Sequence, residues 1–262
     1  MNGFQFNTDK FDFWPVYEAI KKYYPIGVEA APKLYHSYPG QIALANIVID
    51  RVHNDENFTS LWRSVENKLK QSTGKEIIGT TYGQDFCYSA SLIVDTETHN
   101  NFTHRKLLHF FVSFLGPFYS IIGESQNELV MPQKDKVPSR YCSTNYLVAS
   151  PHDEFAALFN TVEQAVEAAF ENYKFVPYWI NEQEITGLYL HHQNENKSPT
   201  VFNALFNDHI DLRKQQYRQQ GDPCYRHEDW IKPGYDTSQE GHWTVHPPLS
   251  ALTGTVDKAP GG

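Results

Sequence analysis

Apolar positions recur along the chain with two different periods. From Asp12 to Tyr24 the spacing is helical: Phe13, Val16, Tyr17 and Ile20 share one face and Pro25 stops the run. Between Asp55 and Gly74 the residues Phe58, Leu61, Trp62, Val65 and Leu69 repeat that spacing. Asp55 suits the start of this second helix and Gly74 its end. Glu66 and Lys70 add an i,i+4 pair worth about 0.2–0.5 kcal/mol. The widest stripe runs through Phe155, Leu158, Phe159, Val162, Ala165, Val166, Ala169, Phe170 and Tyr173. Ser150 before it is a good N-cap, Pro151 fits the first helical position, and Asp153 faces the positive dipole end. Ser198-Pro199 repeats that start signal and predicts a further helix to about Gln219, stopped by Gly221. Ile42 to Val52 is a mostly apolar run read as a strand, with a short buried helix as the alternative.

Between Lys75 and Glu124 the texture changes to short β-rich runs. Glu76–Tyr82, Phe86–Val94, Lys106–Leu115 and Phe118–Gly123 are the expected strands, and Tyr146–Ala149 offers one more. The turns at Gly83-Gln84-Asp85 and Gly116-Pro117 are too short for parallel crossovers, so neighbouring strands should be antiparallel. The expected fold class is α+β, an antiparallel sheet of about five or six strands packed against amphipathic helices. One domain is expected over residues 1–221. Residues 222–262, rich in Pro and Gly, form a C-terminal extension that either wraps the domain through Trp230 and Trp243 or is partly disordered.

Composition narrows the function classes. The 17 Phe and 16 Tyr suffice for a real core despite a mean hydropathy of -0.55, so the bulk of the chain should fold. With 31 acidic against 22 basic residues the formal net charge is -9, which argues against a nucleic-acid partner and favours one with a basic surface. Cys87, Cys142 and Cys224 are odd in number and form no CxxC pair, which fits a reducing, cytoplasmic setting. Residues 1–12 lack the pattern of a secretion signal. The most membrane-like run, Leu107–Ile122, holds His109, Ser113 and Gly116-Pro117 and is too short to span a bilayer. No membrane partner is expected.

The motifs of catalysis are mostly missing. There is no HExxH, no GxSxG, no Walker spacing and no GxGxxG after a strand. His99, His104 and His109 recur every five residues, a spacing that neither helix nor strand brings together, and His242 and His246 share a face only if extended. His227-Glu228-Asp229 could add donors to those two only through tertiary contact. Ser72-Thr73-Gly74-Lys75 has SxxK spacing but lies where a helix ends. Cys87, in strand-like surroundings, reads as a buried structural thiol. No cofactor, metal or catalytic residue is assigned.

Two features point to binding instead. Glu163, Glu167 and Glu171 stand at i, i+4 and i+8 opposite the apolar stripe, flanked by Asn160 and Gln164. Like charges at that spacing weaken a helix, so the strip is either a solvated face or a docking surface for a basic partner. Phe175-Val176-Pro177-Tyr178-Trp179-Ile180 is either an interface anchor or a plug for the sheet's end. The hairpin His109–Gly123, followed by another strand and the acidic helix, resembles the texture of stand-alone bacterial immunity proteins. That resemblance covers about the middle third of the chain and implies a protein that blocks a cognate toxin. The expectation is therefore a protein-binding protein. A metal-assisted hydrolase using His227, His242 and His246, or a structural subunit of a larger assembly, are the alternatives.

Overall fold

A computed structural model describes residues 8–28, 32–83, 85–132, 137–190, 199–212 and 218–236. The chain divides into two units, Met1–Ile231 and Lys232–Gly262, and all architecture below belongs to the first. That unit includes Trp230, whose ring is buried and whose indole N–H donates to the Phe175 carbonyl at 2.9 Å. Trp243 and the His242/His246 pair lie outside the described residues.

Among the described residues the frame is one seven-stranded sheet. Strands β1 (Ile77–Gly79), β2 (Cys87–His99), β3 (Phe102–Ser113), β4 (Phe118–Met131) and β5 (Ser139–Val148) are successive antiparallel neighbours. Two short strands add parallel pairings: β6 (Lys174–Phe175) to β4 and β7 (Arg218–Gln220) to β5. The fold class is α+β as expected, with a somewhat larger sheet.

Both faces of the inner sheet are covered, because its strands carry apolar residues on both sides. On one face, α4 (Asp55–Thr73) and α5 (Ala156–Ala169) pack Trp62, Val65, Leu69, Phe159 and Val162 over Tyr88, Leu92, Leu108 and Phe110. On the other, α1 (Trp14–Tyr23) and α7 (Val201–Leu205) set Phe13, Val16, Ile20 and Phe202 over Phe111, Phe118 and Ile122. The buried segment Phe175–Ile180, with helix α6 (Tyr178–Asn181), belongs to this second layer and plugs the sheet rather than facing solvent. Short α2 (Pro32–His36) and the longer α3 (Pro39–His53) are the remaining α-helices among the described residues.

Three expected elements take another form. The run 42–52 is helix α3, not a strand: Pro39 opens it, and Ile42, Ile49 and Val52 are half or more exposed. Its β-branched residues mimic a strand, but Gly40 lets it lie on α1, where an added Cβ would meet the Lys22 carbonyl oxygen at 2.2 Å. Ser150 does not cap α5. Its hydroxyl accepts the Asp222 N–H at 2.8 Å, and a 3-10 turn over Asp153–Phe155 leads into the helix. The helix expected from Pro199 to Gln219 ends at Leu205. Thr200 and Asn203 close a reciprocal capping box at its start, while Arg218–Gln220 pairs with β5 as a strand.

Candidate functional site

Of the five polar residues expected on the acidic helix, four lie on α5 and Glu171 falls beyond its end at Ala169, and the five separate into two sets. Asn160, Gln164 and Glu171 are exposed, so the outward face is mostly neutral. Glu163 is buried and Glu167 half-buried, and both turn toward Arg226. Arg226 Nη1 lies 3.1 Å from Glu163 Oε1 and also bonds Glu167 at 2.5 Å, while Nη2 reaches Asp229 at 2.6 Å. The Tyr119 hydroxyl donates to Glu167 at 2.8 Å and the Tyr225 hydroxyl to Glu163 at 3.0 Å. Burial raises the Glu163 carboxyl against the pull of Tyr225 and Arg226. Both tyrosine hydroxyls are pushed well above the ordinary value by burial, with the carboxylates beside them adding to it. The expected three-residue strip is thus broken. Two members form an internal clasp on residues 225–229, and only Glu171 stays free toward solvent. Arg226 and the two tyrosines escape sequence reading because 48 to 107 positions separate the partners.

The histidines are placed just as locally. His104 Nε2 is 2.9 Å from Ser125 Oγ. His109 bridges Ser91 Oγ at 2.7 Å through Nδ1 and Glu124 Oε2 at 3.0 Å through Nε2, and Thr144 donates to the other Glu124 oxygen. This chain of serine, histidine and glutamate has the composition of a hydrolytic triad. Ser91, however, sits in mid-strand between β1 and β3, paired with Ile78 and His109. The backbone beside its hydroxyl is committed to the ladder on both edges, leaving no amide pair to meet an oxyanion. The relay instead satisfies buried polar groups on the inner sheet. His227 packs against Phe11 in a tilted arrangement, with ring centroids 4.7 Å apart. Among the described residues no three His, Cys, Asp or Glu side chains are grouped to hold a metal ion. Cys87 is buried and unpaired, and burial raises its thiol well above the ordinary value, as suits an inert core residue.

One exposed surface was not announced by the sequence. Strands β2 to β5 continue past both helical layers as a polar arm spanning Asp95–Lys106, Ser125–Met131 and Ser139–Asn145. Across this arm His99, Phe102, Leu129 and Tyr141 pair in one row and therefore share a face. Tyr141 is 60% exposed and Phe102 37%. The next rows on that face carry Glu97 beside His104 and Asp95 beside Lys106, whose ammonium is taken by Glu154 at 2.6 Å. The opposite face holds Arg105 and Arg140 on the buried Glu128, at 3.3 and 3.0 Å. The aromatic face thus carries Asp95 and Glu97 in its next rows, and among the described residues Arg105, Lys106 and Arg140 are engaged by glutamates.

No protein-family model matches this chain, and neither a curated protein nor a solved structure does. Among the described residues no helix is long and apolar enough to cross a membrane.

Proposed function

We propose that the protein is a non-enzymatic binding protein whose contact surface is the aromatic face of the polar arm, and that its partner is a protein with a basic surface. The observation carrying this reading is the row Phe102–Leu129–Tyr141, held in register on rigid strands beyond any helical cover. Tyrosine and phenylalanine on a preorganised face contribute contact area at little entropic cost. The flanking Asp95 and Glu97, and a net charge of -9, supply long-range attraction for a basic partner and raise its association rate. The resemblance to immunity proteins agrees with this class of partner. Glu163 and Glu167, engaged with Arg226, are not part of the contact surface in this reading.

The test compares the wild-type chain with a Phe102→Ser/Tyr141→Ser double variant as bait in lysate of the native organism, at low and high salt. The reading expects a stoichiometric basic protein on the wild type, lost on the variant and reduced at high salt. A partner retained equally by the double variant would remove the arm from the interface.

A further inference from the structure

A cavity of about 470 Å³ opens between α4, the C-terminal end of α3 and the loop after β1. Phe58, Trp62 and Tyr88 give it an aromatic side. The Trp62 and Tyr88 rings stack with centroids 5.0 Å apart and planes 7° from parallel. Tyr88 is held by its hydroxyl, which donates to the Phe58 carbonyl at 2.8 Å. Burial pushes that phenol up to about 12, so it stays a donor at neutral pH.

The charged groups are what make the cavity unusual. Arg51 lines it and is only 6% exposed. Its guanidinium donates through Nη2 to the Tyr82 carbonyl and lies 5.9 Å over the Phe114 ring, while Nη1 has no hydrogen-bond partner. Among the described residues no carboxylate pairs with Arg51: Asp50 accepts from Asn54, and Asp55 from Thr59. A buried guanidinium without an anion is a costly arrangement, and proteins usually give such a group a carboxylate or a ligand. Arg63 and Glu66 also border the cavity, and burial raises the Glu66 carboxyl against the pull of Trp62 and Arg63.

We infer that this cavity is a binding site for a small monoanion with a flat aromatic body, such as an aryl carboxylate. Arg51 receives the negative charge, and Phe58 with the edges of the Trp62–Tyr88 stack that border the cavity receives the ring. The lining is close to charge-balanced, with Arg51 and Arg63 against Asp55 and Glu66, so it suits one negative charge better than the two of a phosphate monoester. Its volume lies within the range of small-molecule sites, and Phe58, Trp62 and Tyr88 supply an apolar side beside a lining rich in charged groups. Arg63 at the border gives an incoming anion a second favourable charge, whereas Glu66 selects against a second carboxylate on the ligand.

The test is calorimetric titration of the full chain with 2-naphthoate, its neutral isostere 2-naphthamide, and inorganic phosphate. The expected result is saturable one-to-one binding of 2-naphthoate, with the amide at least about tenfold weaker and phosphate without measurable binding. Arg51→Gln should weaken naphthoate by about ten- to a hundredfold, the range for losing a charged hydrogen-bond partner. Because that variant can also disturb the fold, Thr59→Phe serves as a second one, filling the cavity from a half-buried position on α4 while keeping the arginine. It should abolish naphthoate binding with an unchanged circular dichroism spectrum. Equal affinities for naphthoate and naphthamide, naphthoate binding undiminished in Thr59→Phe, or no binding of naphthoate to the wild type would each overturn the assignment.

Discussion

Arg226 Nη1 and Glu163 Oε1 meet at 3.1 Å, although 63 positions separate the two residues in the chain. The contact fastens the segment before Ile231 onto α5 and uses up charge that the helix would otherwise display. Arg226→Met should therefore destabilise the protein by about 1.5–3 kcal/mol in urea unfolding, since it strands a buried carboxylate. The lower half of that range is expected, because the Arg226 and Glu167 side chains keep 27% and 38% of their exposure. Adding Glu163→Gln to Arg226→Met should recover part of the loss by removing the stranded charge. No loss in the single variant would mean that the clasp contributes nothing.

The two sets of polar residues on and just after α5 should respond differently to charge reversal. Glu171→Lys lies on the exposed face and should shift stability by no more than about 0.5 kcal/mol. Glu163→Lys would place a second cation against Arg226 in a buried position and should lower the thermal midpoint sharply. If both variants melt alike, Glu163 is not held as described.

Much of the inner fold was legible because its residues obey one period at a time. The stripe from Phe155 to Val166 and the Trp62, Val65, Leu69 face declare their helices, and both land on the sheet. The arm was invisible for the converse reason. Asp95-Thr96-Glu97-Thr98-His99 is polar on both faces, so no alternation marks it, and only its two threonines hint at a strand. Expected strand ends at Val94 and Gly123 mark where the apolar pattern stops, not where the hydrogen-bonded ladder does. The α3 reading failed through composition: its isoleucines and valines are strand formers, yet the segment lies on α1 as a helix. Taking it for a strand also hid Arg51. The Arg226 clasp and the Ser91–His109–Glu124 relay depend on contacts between distant segments, which no local spacing can reveal.

Gly40 carries the packing of α3 on α1. A methyl group there would sit 2.2 Å from the Lys22 carbonyl oxygen and 2.8 Å from the Tyr23 Cα, both backbone atoms that cannot swing aside. Gly40→Ala gains intrinsic helix propensity, so an exposed site would be stabilised by up to about 1 kcal/mol. Here overpacking should dominate and cost about 1–3 kcal/mol, measured by urea unfolding. A stabilised Gly40→Ala protein would show that α3 does not lie so close.

The pH dependence of stability should report the relay through Glu124. Burial pushes its carboxyl up, but the hydrogen bond and charge of His109 and the Thr144 hydroxyl outweigh it and hold the group below its ordinary value. A carboxylate depressed in the folded state binds its proton more readily when unfolded, so it stabilises the fold above the unfolded value of about 4.3. That contribution is lost as pH falls through the folded value. The stability gap between the wild type and Glu124→Gln should therefore be widest above about pH 5 and close on acidification below the unfolded value. Thr144→Val removes one donor to the carboxylate and should move the Glu124 midpoint, followed by carboxyl NMR, upward toward the ordinary value. A gap that stays constant from pH 3 to 7, or a midpoint unmoved by Thr144→Val, would mean that Glu124 does not depend on these partners for its charge.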